Sequence, residues 1–369
     1  MAGNFEFATA GRIVFGGGAR GLVASAAQGM GRRALLVTGS RTHGFEGIRF
    51  EVHGEPKVDT VRAGVAEARA EACDMVIAVG VGSAIDAGKA IAALLTNPGD
   101  VLDYLEVVGR AQTLGAPSAP CIAVPTTAGT GSEVTRNAVL ASPAHRVKAS
   151  LRSPSMLPRL AVVDPELTLD LPPEITATTG LDALTQLIEP FVCTKANPLT
   201  DLYCQEGMRR AARSLRRAFD HGADLEARGD MSLASLMGGL ALANAGLGAV
   251  HGFAAAIGGA FDAPHGGICA ALLPHVTAVN LRALDERSPH SDAITRYGEA
   301  GRILAGGGDL AAWLISLCAH LGIPPLRHYG IAEADIPGLC ANAARASSMK
   351  ANPITLTEAE LREILERAI

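Results

Sequence analysis

With 369 residues, 48% of them hydrophobic and 19% charged, the chain can bury a large core and form two domains. A formal charge of -5 and the lack of any long Lys/Arg run exclude an electrostatic groove for nucleic acid. No apolar stretch reaches about 18 residues, which argues against a membrane span, and Met1 to Glu6 carries no secretory signature.

The N-terminal half alternates short apolar runs with helical patterns. Ala34–Thr38, Ile48–Val52, Met75–Val79, Cys121–Val124 and Leu160–Val163 read as strands, several of them buried and parallel. Val61–Glu71 and Ala84–Leu95 have helix-forming composition between them. This alternation predicts a doubly wound, mostly parallel α/β domain over residues 1–168, with ligands at the C-terminal ends of its strands. The link 39–47 is short for a crossover: either it is an abbreviated loop, or the strand at 48–52 is misplaced.

Glycine clusters follow three of the expected strands or precede them. Gly80-Val81-Gly82-Ser83-Ala84-Ile85-Asp86-Ala87-Gly88-Lys89 allows a tight turn, with a helix opening at Ser83 whose free N–H groups suit a pyrophosphate. Pro125-Thr126-Thr127-Ala128-Gly129-Thr130-Gly131-Ser132-Glu133-Val134-Thr135 offers hydroxyls and glycines for phosphate and ribose contacts. Phe15-Gly16-Gly17-Gly18 is either a third such loop or a plain turn. The strand ending in Gly39-Ser40-Arg41 has no carboxylate for an adenine ribose, which leaves room for NADP, with Ser40 and Arg41 facing its phosphate; NAD stays open.

Beyond Asp164-Pro165 the pattern turns helical. Pro172-Pro173-Glu174 is a helix start, and Gly207–Phe219, Met231–Leu247, Asp309–Leu321 and Thr357–Ala368 are the clearest helices, so residues 169–369 are expected to form an all-α domain. Thr357-Glu358-Ala359-Glu360 is a capping box. The Gly-rich spots at 222–229 and 306–308 read as interhelical turns, and Arg209-Arg210 and Arg216-Arg217 as a solvated face. Seven cysteines without a Cys-x-x-Cys pair, several in apolar runs, point to reduced thiols and a cytoplasmic setting.

In this half Asp182 and Gln186 share one helix face, and His251 and His265 must reach them through the fold. One carboxylate, one amide oxygen and two imidazoles make a first shell for a divalent metal, weakest at Gln186 because a neutral amide ligates less well than imidazole.

Four ordered motifs carry a resemblance that runs from Phe15 to the last helix: Gly80–Lys89, Pro125–Thr135, Gly180-Leu181-Asp182-Ala183-Leu184, and the block from His251 to Pro274 with its Ala263-Pro264-His265-Gly266-Gly267. The chain resembles the iron-containing (group III) alcohol dehydrogenases and the related maleylacetate reductases. The resemblance implies an N-terminal dinucleotide domain, a helical metal and catalytic domain and an active-site cleft between them. It implies hydride transfer between a nicotinamide and a small alcohol or aldehyde, in a homodimer with no nucleic-acid or membrane partner. It places Gly39, Ser40, Gly80, Gly82, Ser83, Asp86, Thr126, Thr127 and Ser132 at the cofactor and Lys148 at its nicotinamide end. It further assigns Asp182, Gln186, His251 and His265 to Fe2+ or Zn2+, and His251, His265 and Lys148 to catalysis. Two departures stand out: Gln186 replaces the family's histidine ligand, and Ala255 stands where those enzymes often carry another histidine. They leave three readings open: a dehydrogenase with an atypical metal site, a metal-independent reductase of the maleylacetate type, or a cofactor-binding homologue without catalysis.

Overall fold

In the computed structural model, residues 4–145 and 147–369 are described. Residues 1–3, on which part of the leader reading falls, and Arg146 lie outside the described residues. The strands are β1 (Ile13–Phe15), β2 (Ala34–Thr38), β3 (Ile48–Glu51), β4 (Met75–Gly80), β5 (Cys121–Pro125), β6 (Asn137–Ser142), β7 (Val147–Arg152) and β8 (Leu160–Val163). Six of them form one sheet in the order β1-β8-β5-β4-β2-β3, and every pairing is parallel. Side chains alternate across it: Leu35, Val37, Val76 and Ala78 enter one core, whereas Leu36, Met75, Ile77 and Val79 enter the other. With both faces covered, each central strand is a continuous apolar run. The helices α1 (Val23–Gln28), α2 (Val58–Ala70), α3 (Gly82–Thr96) and α4 (Val101–Tyr104) complete this unit, which spans Ala8–Asp170.

The strand expected at 48–52 is real and parallel to β2. The connection 39–47 is a loop without a helix, turned by His43 at φ 51°, Gly44 at φ 82° and Gly47 at φ 155°. It joins adjacent strands, so it only has to retrace the length of one short strand. The antiparallel β6–β7 pair, which lies between β5 and β8 in the chain, was not among the expected strands.

The second unit groups residues 4–7 with Leu171–Ile369, against an expected division at 168/169. Phe7 stacks on Tyr203 with ring centroids 5.8 Å apart. Its helices are α5 (Pro173–Val192), α6 (Pro198–Asp220), α7 (Leu225–Asn244), α8 (Ala249–Ala260), α9 (His265–Arg287), α10 (Asp292–Ala305), α11 (Leu310–His320), α12 (Ile336–Arg345) and α13 (Glu358–Ala368). Pro173 opens α5, and Thr357 and Glu360 form the expected capping box on α13. The turn expected over 222–229 is shorter than its glycines imply, because Asp224 accepts from Ala227 N at 3.0 Å and starts α7 there. The helix expected through Leu247 stops at Asn244, and the chain bends by 93° into α8. Of the arginines expected on a solvated face, Arg210 is half-buried and holds Asp230 at 2.7 Å, and Arg217 holds Asp224 at 2.7 Å. Taken alone, α9 is long and apolar enough to cross a membrane, but 78% of its apolar window is buried inside the protein, against α5, α8, α11 and α13.

Candidate active site

α5 is buried from Gly180 to Val192, so a polar residue on its inner face is desolvated unless the fold supplies a partner. Asp182, Gln186 and Glu189 occupy positions i, i+4 and i+7 of that face. His251 comes from α8, and His265 is the first residue of α9. Their Nε2 atoms lie 3.7 and 3.6 Å from the same atom, Asp182 Oδ1. The two imidazoles are 5.4 Å apart between centroids. Cys269, one turn into α9, brings Sγ to 3.7 Å from His265 Nε2. The four donor atoms of Asp182, His251, His265 and Cys269 lie within 4.8 Å of one another.

Asp182 Oδ1 is buried and has no hydrogen-bond partner. A carboxylate oxygen in that state costs several kcal/mol unless a cation completes it. Donor atoms around a tetrahedral Zn-sized ion stand about 3.3–3.8 Å apart, given metal–ligand bonds of about 2.0–2.3 Å. The observed separations of 3.6 and 3.7 Å fall in that range, so these residues fit a divalent metal.

His251 is held from behind. Its Nδ1 lies 2.6 Å from Glu189 Oε2, while Val250 N donates to Glu189 Oε1 at 2.7 Å. A carboxylate on Nδ1 fixes the tautomer that turns the Nε2 lone pair towards Asp182. Burial works against the imidazolium, but the charges of Glu189 and Asp182 and the hydrogen bond to Glu189 outweigh it and raise the pKa above the ordinary 6.5. Glu189 and Cys269 were not among the expected site residues. Their signal was spacing: a carboxylate seven residues after Asp182, and a thiol four after His265.

Gln186 is adjacent to this group but plays a different part in it. Its Nε2 donates to Asp182 Oδ2 at 3.1 Å. Its buried Oε1 has no hydrogen-bond partner and lies 3.6 Å from where a Cβ on Gly238 of α7 would stand. Ala255 follows one turn after His251 on α8.

In the α/β unit, the chain order of the strands reverses between β2 and β4, which is where open α/β sheets bind ligands. Gly80 ends β4 at φ 151°, and a Cβ there would meet Ala84 Cβ at 2.9 Å and Gly39 N at 3.6 Å. Thr126 N donates to Gly80 O at 2.9 Å, and a Cβ on Gly82 would lie 2.6 Å from the Thr130 side chain. The loops at Gly39–Ser40, Gly80–Ser83 and Thr126–Ser132 therefore converge, and α3 opens there at Gly82, one residue ahead of the expected start. Thr126 and Thr127 are buried, whereas Ser40 is exposed.

Four expected contacts have partners within the protein. Ser132 Oγ donates to Asp86 Oδ1, Val139 N donates to Asp86 Oδ2 at 2.9 Å, and the buried Lys89 Nζ lies 3.0 Å from Asp86 Oδ1. Lys89 also donates to Ser132 O and Thr135 Oγ1, both at 2.9 Å. Asp86 and Ser132 thus tie the 125–135 loop to α3, and Asp86 ties α3 to β6. Lys148, on β7, sits 3.1 Å from Glu55. Arg41 pairs with the exposed Asp170 at 3.2 Å. Next to Ser132, burial pushes the Glu133 carboxyl up to about 7, against smaller opposing effects of its own backbone N–H and Lys89.

A parallel nucleotide-type sheet with glycine loops at its switch point, followed by a helical unit carrying a metal-type donor cluster, is the build of a two-domain dehydrogenase. The description "Iron-containing alcohol dehydrogenase" matches residues 10–165, and "Fe-containing alcohol dehydrogenase family, C-terminal" matches residues 176–369. The chain belongs to the iron-containing alcohol dehydrogenase family and is an oxidoreductase. It is 38% identical over 358 residues to 1,3-propanediol dehydrogenase of Citrobacter freundii, covering 92% of each chain. The crystal structure of a 1,3-propanediol oxidoreductase superposes with a TM-score of 0.88 at 35% identity, covering 100% of both chains. Sulfoacetaldehyde reductase from Bifidobacterium kashiwanohense, solved with NAD+, gives a TM-score of 0.86 at 28% identity over 99% of each chain.

Proposed function

We propose that this protein is a metal-dependent, nicotinamide-dependent dehydrogenase that interconverts a small alcohol or diol and its aldehyde. The observation that carries the reading is Asp182 Oδ1, buried without a hydrogen-bond partner and 3.7 and 3.6 Å from two imidazole nitrogens. That favours the metal-dependent branch over a metal-free reductase, in which the same oxygen would stay uncompensated. Similarity to the propanediol dehydrogenase and the sulfoacetaldehyde reductase supports a short, polar substrate.

When bound, the nicotinamide supplies hydride transfer and the divalent ion supplies Lewis acidity. The chain supplies the rest. Asp182, His251 and His265 hold the ion. Glu189 fixes the His251 ring, so His251 would hold the ion through Nε2 rather than carry a proton, with His265 Nε2 beside the same Asp182 oxygen. The N–H groups at the start of α3 take the pyrophosphate, with Thr126 and Thr127 beside it. At the end of β2 there is no carboxylate, and a Cβ on Gly39 would meet nothing within 4 Å. That open space favours NADP, with NAD as the second cofactor.

Two further points belong to this reading. β1 is an edge strand with Phe15 exposed, which supports homodimer formation along that edge. Six buried thiols and one half-buried thiol, none in a disulfide, support a cytoplasmic setting.

The test is elemental analysis of protein purified without added metal, with NAD(P)H oxidation on short aldehydes assayed before and after chelation. Stoichiometric metal with chelator-sensitive turnover is expected. Metal-free protein with chelator-resistant turnover would return the assignment to the maleylacetate type.

A further inference from the structure

We infer that Cys269, not Gln186, supplies the fourth protein ligand of the metal site, giving an Asp182–His251–His265–Cys269 set that selects zinc over iron. This rests on the reading of Asp182, His251 and His265 as metal ligands.

Gln186 stands where the helix spacing would place the fourth donor, but its geometry points elsewhere. Its amide nitrogen is spent on Asp182 Oδ2, and its oxygen lies beside Gly238 of α7. To ligate, the amide would have to give up that bond and turn its oxygen towards the same carboxylate. Cys269 already points into the donor group, and to ligate it would exchange its contact with His265 Nε2 for the ion. It lies four residues after His265, so both side chains share one face of α9. Its Sγ is 3.7 Å from His265 Nε2 and within 4.8 Å of the donor atoms of Asp182 and His251, and the residue is buried.

Charge favours the thiol as well. An Asp-Gln-His-His shell leaves a dication with one unit of positive charge in a buried pocket, whereas carboxylate and thiolate together neutralise it. Binding breaks the Cys269 S–H bond, releases the proton to solvent and forms a sulfur–metal bond, so metal uptake releases a proton. Both candidate shells share Asp182 and two imidazoles, and exchanging the amide oxygen for a soft thiolate moves the set towards zinc.

The experiment uses full-length protein stripped of metal and loaded with Co(II), followed by optical spectroscopy. The expected result is one Co(II) per chain, a near-ultraviolet thiolate-to-cobalt charge-transfer band, and the visible bands of a tetrahedral ion. Cys269→Ser should abolish the charge-transfer band and weaken binding by more than the roughly 10- to 100-fold typical of losing an outer-shell partner. X-ray absorption of the zinc form of the wild type, which needs no variant to fold, should show one sulfur neighbour at about 2.3 Å. Stoichiometric Co(II) with no charge-transfer band and no sulfur neighbour would overturn the Cys269 assignment and leave the metal site standing. A band that persists in Cys269→Ser would also overturn it. No Co(II) uptake by the wild type would overturn both the assignment and the site beneath it.

Discussion

Gln186 Nε2 donates to Asp182 Oδ2 across 3.1 Å, and this bond decides which carboxylate oxygen is left for the two histidines. Oδ2 is satisfied within α5; Oδ1 has no hydrogen bond and faces His251 and His265. The amide at position 186 therefore acts as an orienting group for its neighbour.

Gln186→His exchanges that orienting bond for a fifth potential donor on the same helix face. Metal affinity should rise by at least about tenfold, ~1.4 kcal/mol, in a chelator competition. Unchanged affinity in that competition would count against a site centred on Asp182.

Glu189→Gln removes the charge that holds His251. Metal affinity should fall by roughly 10- to 100-fold. Proton and metal compete for His251, whose pKa lies above 6.5, so wild-type affinity should begin to fall while the pH is still above that value. In the variant the fall should start at lower pH. Superimposable binding curves would show that Glu189 does not tune this imidazole.

Glu133 provides a pH signature of stability. Its folded pKa of about 7 exceeds the ordinary 4.5, so between those values the native chain keeps a proton that the unfolded chain has lost. Stability contributed by this group is present below 4.5 and declines as pH rises towards 7, by up to about 1.4 kcal/mol per pH unit. Glu133→Gln should flatten that part of a urea-midpoint-against-pH curve. Parallel curves for the two proteins would reject the assignment.

Lys89→Met leaves Asp86, Ser132 O and Thr135 without their shared cation. Losing one partner of a buried pair costs about 3–5 kcal/mol, and a lower melting temperature is expected together with a raised KM for the nicotinamide cofactor. A variant with an intact melting temperature would mean that the 125–135 loop is held by other contacts.

Gly39→Asp puts a carboxylate into the open space at the end of β2. The ratio of kcat/KM for NADPH over NADH should fall by about tenfold or more, the equivalent of ~1.4 kcal/mol. An unchanged ratio would place the adenine ribose away from this residue.

Much of this architecture was legible because it is local. Buried parallel strands such as Met75–Gly80 show as unbroken apolar runs, Pro173 and the Thr357–Glu360 box mark helix starts, and glycines mark the turns at β4 and β5. These features rest on contacts a few residues apart, so their residue types and spacings carry them directly. The β6–β7 pair was not legible: Asn137–Ser142 and Val147–Arg152 are half-buried and mix polar with apolar residues.

Residue types and spacings alone carry the two-part α/β and helical plan, the family to which the chain belongs, and the placement of Asp182 and Gln186 on one helix face. What those residues meet depends on how distant segments pack. Glu189 reaches His251 across 62 residues of chain, Asp182 Oδ1 comes to lie between two imidazoles, and Cys269 joins them because α5, α8 and α9 pack together. Packing within the α/β unit likewise binds Asp86 to Ser132 and Lys148 to Glu55. Such pairings depend on which helix faces and strand ends close on each other, and no local spacing records that.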